Sequence, residues 1–166
     1  MRSTVFATVA VLALGLPIAT FAAGGGGADA PRIESTSKPA APADPTFAQA
    51  KAMIEGKNYA GAIPLLQQVV AKDARNADAY NLLGFATRAS GNPNGSVQYY
   101  TQALAIDPRH LGAHEYLGEA YLMLDRPAEA DQMLARLDSF CVFGCTEYRM
   151  LKAAIANYKQ GKKPTM

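Results

Sequence analysis

The sequence predicts an all-α protein in which helical hairpins stack side by side and a last helix closes the stack. The chain has 166 residues, of which 49% are hydrophobic, and it contains no Trp. From about residue 44 to residue 159, apolar residues recur at the spacing of helices, not in the alternation typical of strands. Short turns rich in Gly, Asn and Pro interrupt this pattern at regular distances. The length suits one folded domain.

The amino-terminal residues 1–23 have the composition of an export signal. Arg2 gives a positive start, an apolar run covers residues 5–16, and small residues follow as cleavage positions. Pro17 ends the apolar run short of the ~20 residues that a membrane-spanning helix needs. We therefore expect export, to a bacterial periplasm in the first place, with secretion as the alternative.

Residues 24–43 have the composition of a linker, with four consecutive glycines followed by three prolines among Ser, Thr and Ala. Such a segment buries too little apolar surface to offset the entropy of ordering it. We expect it to be disordered and to connect the cleavage site to a folded domain at residues 44–160.

A first helical hairpin is predicted at residues 43–76. Asp44 suits an N-cap and Pro45 the first helical position, where its missing N–H costs nothing. A turn at Gly56-Lys57-Asn58 separates this helix from a second one that begins at Tyr59. Residues 77–110 and 111–144 predict two further hairpins, with turns near Asn92 and Asp125.

The central unit has the spacing of a known repeat when it is counted from Ala77. The residues that carry this pattern are Tyr80, Leu83, Gly84, Ser96, Tyr100, Ala103 and Pro108. The spacing resembles the tetratricopeptide repeat (TPR), a helix-turn-helix unit of ~34 residues. The resemblance implies an α-solenoid of three repeats. Small residues, among them Gly84 and Gly118, would let the two helices of one repeat approach closely.

A capping helix is predicted at residues 146–159, which brings the expected number of helices to about seven. One hairpin cannot bury its apolar face alone, so the last repeat of a stack needs a cover. Tyr148, Leu151 and Ile155 form the apolar side of this helix, Gly161 ends it, and residues 161–166 form a tail.

The resemblance also implies a binding site. In TPR proteins the first helices of the repeats line a concave groove, and the corresponding positions here mix apolar and charged side chains. An extended peptide or a partner helix carrying both charges would suit this face. The candidate groove residues are Phe47, Lys51, Asp78, Asn81, Phe85, Arg88, Glu115, Glu119 and Met123. The chaperone-type clamp for a terminal carboxylate is absent, since Phe47, Lys51 and Leu82 occupy its positions.

Cys141 and Cys145 are the only two cysteines. In an exported protein such a pair favours a disulfide, provided that Gly144 ends the preceding helix and lets the chain turn. A redox-active pair and two free thiols are the alternatives. The spacing is one residue longer than that of Cys-x-x-Cys redox motifs.

No metal site, cofactor or catalytic function is expected. His110 and His114 lie four residues apart, but solvent exposure or helix capping explains them better than zinc binding with the two cysteines. No nucleophile or phosphate-binding motif is present. The net charge of +2 gives no electrostatic case for binding nucleic acid.

The predicted function is therefore non-catalytic binding of a protein or peptide in the groove of an exported scaffold, with no membrane span once the signal is removed. The first alternative is a structural protein that forms homo-oligomers. The second is a thiol-disulfide protein that uses Cys141 and Cys145.

Overall fold

The computed structural model describes residues 44–164, and within them it contains seven α-helices and no strand. The prediction of an all-α fold with seven helices is thus confirmed. The helices are α1 (Pro45–Glu55), α2 (Tyr59–Lys72), α3 (Ala77–Ala89), α4 (Pro93–Ile106), α5 (Leu111–Met123), α6 (Pro127–Phe140) and α7 (Thr146–Lys159). The predicted signal, the linker and the last two tail residues lie outside the described part of the chain.

Side-chain caps fix where five of the helices begin. Asp44 accepts a hydrogen bond from the backbone N–H of Thr46 at 2.7 Å, as its predicted N-cap role requires. Asn58, Asn76 and Asn92 accept from the third residue beyond them. Nδ1 of His110 does the same for α5 at 3.1 Å. Each cap satisfies a backbone donor that has no partner inside its helix.

The turn inside each hairpin has the same backbone geometry. Lys57, Gly91 and Asp125 have φ angles of 57°, 90° and 58°. They lie about one repeat length, ~34 residues, apart. A residue in the left-handed backbone conformation reverses the chain at this point, and glycine adopts this conformation most easily. The equivalent turns show that the three hairpins are copies of one unit.

Three apolar clusters follow one another along the stack. The first joins α1, α2 and α3 around Leu66 and Leu83, and the second joins α4 and α5 around Tyr100. The third joins α5, α6 and α7 around Leu151. Tyr121 packs against both the second and the third cluster. The core is therefore shared between neighbouring hairpins and does not lie inside any one of them.

Two glycines mark close helix contacts, but not both within one hairpin. A Cβ at Gly84 would lie 2.7 Å from ring atoms of Tyr100, so α3 and α4 approach closely, as predicted. A Cβ at Gly118 would lie 2.6 Å from the methyl carbons of Leu151. The nearest neighbour of Gly118 thus belongs to α7 and not to α6. Gly118 therefore marks a close contact between α5 and the capping helix, which occupies the place that a next repeat would take.

Two further details differ from expectation. Helix α6 ends at Phe140, so Gly144 does not terminate it, although its φ of 75° does let the chain turn before α7. His110 caps α5 as expected, but His114 is only 5% exposed. Nε2 of His114 lies 3.0 Å from the carbonyl oxygen of Pro108. Burial lowers the pKa of His114 and favours the neutral imidazole.

Candidate functional site

The first helices of the hairpins lie next to one another and form one face of the stack. Helix α1 contacts α3, α3 contacts α5, and α5 contacts α7. The second helices pack behind them. This arrangement creates the predicted groove, here defined as the face formed by α1, α3, α5 and α7.

The amino-terminal end of the groove contains an open pocket of about 230 Å³. Phe47 and Lys51 of α1 line it together with Asp78 and Asn81 of α3. Nζ of Lys51 lies 5.9 Å from the centre of the Phe47 ring, and Lys51 is exposed. The structure therefore brings four of the predicted groove residues around one pocket, with the ammonium group of Lys51 exposed at its edge.

Asp78 is not a free charge in this pocket. Its Oδ1 lies 3.0 Å from Nε2 of His110. Nδ1 of His110 accepts the cap hydrogen bond from the backbone N–H of Ala113. The ring proton therefore lies on Nε2, which donates a hydrogen bond to Asp78. The pair ties the start of α3 to the start of α5.

The centre of the groove contains a buried ion pair. Arg88 is 3% exposed, and its Nη1 lies 2.8 Å from Oε2 of Glu119 and 3.9 Å from Sδ of Met123. Its guanidinium carbon lies 5.7 Å and 5.6 Å from the ring centres of Phe85 and Tyr116. Glu119 already neutralises Arg88, so this arginine does not offer a positive charge to a ligand.

Phe85 packs across the hairpins. Its ring centre lies 5.8 Å from that of Tyr59 and 5.2 Å from that of Tyr116. Tyr116, which the repeat positions did not mark as a groove residue, therefore belongs to the same aromatic row. Phe85 remains only partly buried, so its ring both holds α3 against α5 and contributes to the groove surface.

Among the predicted groove residues, Glu115 has the most unexpected environment. It is 3% exposed, and its Oε1 has no hydrogen-bond partner among residues 44–164. Burial raises the pKa of Glu115 to about 7, the negative charges of Glu119 and Glu147 act in the same direction, and Arg88 opposes them. Glu115 therefore changes its charge near neutral pH.

We expect this carboxyl group to make stability depend on pH. The folded chain holds the Glu115 proton more tightly than the unfolded chain, whose ordinary pKa is 4.5. Stability is therefore lost as pH rises from the unfolded to the folded pKa, and no further loss follows above it. Glu115→Gln should gain stability relative to wild type between about pH 5 and about pH 8, by at most about 1.4 kcal/mol per pH unit.

Urea unfolding of both proteins at the two pH values measures this difference. Asp131→Asn is the matched control, because Asp131 lies exposed on α6, outside the groove. If the free energy of unfolding of wild type and of Glu115→Gln changed in parallel with pH, this would contradict the raised pKa of Glu115.

The carboxyl-terminal end of the groove was missed at the sequence level. A pocket of about 380 Å³ opens there between Glu119 of α5 and Met150, Ala153 and Asn157 of α7. Lys162 and Lys163 of the tail border it as well. The sequence did contain a signal for this role of α7. Its apolar residues have the same spacing as those in the first helix of each hairpin, at Tyr148, Leu151 and Ile155. Helix α7 is therefore both a cover for the core and a groove-lining helix.

The two cysteines lie between α6 and α7. Their sulfur atoms are at disulfide distance, and their Cα atoms are 5.4 Å apart. The enclosed residues point outward, with Val142 83% and Phe143 99% exposed.

These features define a class of protein: a helical-repeat scaffold with a shared core and an open face of mixed charge. Two models of the tetratricopeptide repeat match the chain, one at residues 47–109 and the other at residues 87–155. Together they cover all seven helices in whole or in part. The chain belongs to the tetratricopeptide repeat family, as its spacing predicted.

Solved structures agree with this assignment. The MamA RS-1 ArsTM double mutant is 25% identical, with a TM-score of 0.53 over 55% of this chain, and the chain spans 51% of that structure. The type III secretion translocator chaperone SycD of Yersinia enterocolitica is 16% identical, with a TM-score of 0.61 over 70% of this chain and 87% of SycD. SycD in complex with a peptide of the translocator YopD gives a TM-score of 0.60 at 16% identity. The SycD likeness shows the fold alone.

No curated protein sequence matches the chain significantly. In the part of the chain that the structure describes, no three side chains of His, Cys, Asp or Glu gather as metal ligands would. None of the described helices combines the length and the apolar character that crossing a bilayer requires.

Proposed function

We propose that this protein is a non-catalytic scaffold that binds a peptide or helix of a partner protein in the groove. The open pockets at the two ends of the face formed by α1, α3, α5 and α7 carry this proposal, because they offer apolar, aromatic and charged side chains to a ligand. Helical-repeat proteins use such concave faces to bind extended partners. A structurally similar protein, SycD, has been solved with a translocator peptide.

The proposed place of action is the cell envelope, with the periplasm ahead of secretion. The composition of residues 1–23 supports export. The distance between the two cysteine sulfurs supports a disulfide, which an oxidising compartment would maintain. Such a bridge would hold the start of α7 against the end of α6.

Capture from an envelope extract tests the proposal. We expect the tagged chain, beginning at residue 24, to retain a partner that mass spectrometry identifies. Lys51→Glu should reduce its capture at least about tenfold. The substitution replaces the positive charge of the amino-terminal pocket with a negative one, which would repel a negatively charged group of the partner. Lys57→Glu makes the same charge change at an exposed turn and should leave capture unchanged. Equal capture by all three proteins would contradict binding in the groove.

A homo-oligomeric structural role is the second candidate. The observation that favours it is that SycD has been solved as an alternative dimer. Light scattering of the purified chain separates the two candidates, since a monomer at all concentrations excludes self-assembly. A thiol-disulfide role is tested by the reduction potential of the cysteine pair, because a value below about −300 mV marks a structural bridge.

A further inference from the structure

A pocket outside the groove has no part in the proposed function. It opens between the end of α4, the start of α5 and the end of α6, and its volume of about 430 Å³ suits a small ligand. It shares no lining residue with the two groove pockets. Its lining consists of Leu104, Pro108, Arg109, His114, Arg136 and Phe140.

Two arginines border this pocket, and neither forms an ion pair among residues 44–164. The guanidinium carbon of Arg109 lies 4.8 Å from the ring centre of Phe140. Arg136 lies one helical turn before Phe140 on α6, so it is on the same side of that helix. Stacking on a ring restrains a guanidinium and leaves its N–H edge able to donate. The pocket therefore offers two positive groups, one of them held in place.

The rest of the lining is uncharged. Leu104 and Pro108 are apolar, and His114 is 5% exposed, with its ring centre 5.5 Å from that of Phe140. Burial lowers the pKa of His114 most, the hydrogen bond to Pro108 opposes this, and the charge of Arg136 lowers it further. Nδ1 of this neutral ring is buried, so His114 shapes the inner wall and does not bind a ligand itself.

The acids near the pocket do not cancel its positive charge. Oδ1 of Asp107 accepts a hydrogen bond from the backbone N–H of Arg109 at 2.9 Å, and Asp107 does not line the pocket. Asp138 is exposed on another side of α6. Two guanidiniums beside Asp107 leave a surplus that a single carboxylate balances. A phosphate monoester, with ~1.5–2 negative charges at pH 7, would exceed it.

The preceding junction of the stack serves as an internal comparison. One repeat length earlier, ~34 residues, Arg75 is the counterpart of Arg109 and its backbone N–H forms the same kind of hydrogen bond, at 3.0 Å. The counterparts of the second arginine and of the aromatic ring, however, are Gln102 and Ile106. The packing of the repeat therefore does not require the second guanidinium or the ring at this position.

We propose that this pocket binds a small organic acid, a carboxylate joined to an apolar or aromatic group. The guanidiniums of Arg109 and Arg136 would hold the carboxylate through charge-assisted hydrogen bonds. The apolar part of the ligand would lie against Leu104 and the ring of Phe140. The site goes beyond the proposed function, because it lies outside the groove and leaves the groove open to a protein partner.

Phenylacetate is the probe, and phenylacetamide, which has the same shape without the charge, is its neutral counterpart. In an NMR titration of the purified chain at low ionic strength and neutral pH, we expect phenylacetate to bind with a dissociation constant of about 1 mM. It should shift the resonances of Arg109, His114 and Phe140 most. Phenylacetamide should bind at least about tenfold more weakly, the size of one hydrogen bond to a charged group.

Two glutamine variants locate the binding site. Arg136→Gln should weaken the binding of phenylacetate about tenfold, and it should leave the fold intact because Arg136 is exposed. Arg75→Gln is the matched control, since it removes the same charge from the exposed, equivalent turn of the preceding junction, and it should leave binding unchanged.

Several results would overturn this inference. Equal binding of phenylacetate and phenylacetamide would show that the pocket does not recognise charge. Equal shifts around Arg75 and Arg109, or equal affinities of the two glutamine variants, would show unspecific attraction to surface arginines. Tighter binding of phenyl phosphate than of phenylacetate would contradict the choice of a carboxylate. None of these results affects binding in the groove, which Lys51→Glu tests separately.

Discussion

Replacing Arg88 with methionine should destabilise the fold by about 3–5 kcal/mol, the cost of breaking a buried ion pair from one side. The side chain of Arg88 is 4% exposed, and its removal leaves Glu119 without a counter-charge next to Glu115. The substitution also removes the contact with the rings of Phe85 and Tyr116. Urea unfolding followed by circular dichroism measures the loss.

Arg126→Met is the matched control for this prediction. Arg126 forms an ion pair with Glu129 at the same distance, 2.8 Å, but its side chain is 46% exposed. Water screens such a pair, so we expect a loss of no more than about 1 kcal/mol. The double variant Arg88→Met with Glu119→Gln should lose less stability than Arg88→Met alone. Equal losses for Arg88→Met and Arg126→Met would show that the central pair is not buried.

Replacing Leu151 with alanine should cost about 2–5 kcal/mol, because it opens a cavity where α7 closes the core. Leu151 is fully buried, and its methyl groups lie against the backbone of α5 at Gly118. Hydrogen exchange should show the amides of α7 losing protection before those of α3 and α4, since the cover detaches first.

The neighbouring residue provides the comparison for Leu151. Met150 lies on the groove side of α7 and is 49% exposed, so Met150→Ala should change stability by about 0.5 kcal/mol or less. If the two alanine variants were equally stable, α7 would not be part of the shared core.

The helical spacing and the turn residues predicted the fold well, and the physical reason is local. Asp44, Tyr59 and Gly161 begin or end helices through caps and backbone geometry, which depend on neighbours in sequence. The packing of neighbouring hairpins against one another could also be predicted, because small and large residues recur at the same positions in each unit. Helix α7 was predicted at Thr146–Lys159 and occurs there.

The groove was harder to predict, because burial of a polar residue depends on distant helices. Arg88 and Glu119 occupy positions that face the groove, and only the approach of α3 to α5 turns them into a buried pair. The pKa of Glu115 is raised first by burial and then by Glu119, and Glu147, which lies 32 positions further along the chain on α7, adds to the shift. The contribution of α7 to the groove was overlooked because this helix was interpreted only as a cover.

Residue-by-residue NMR mapping of a captured partner peptide is the most direct test of binding in the groove. We expect the largest chemical-shift changes on α1, α3, α5 and α7, at exposed or partly exposed groove residues such as Lys51, Phe85 and Met150. The second helices, α2, α4 and α6, should change little. Shifts concentrated on those second helices, or on the exposed loop at Phe143, would contradict the proposed groove.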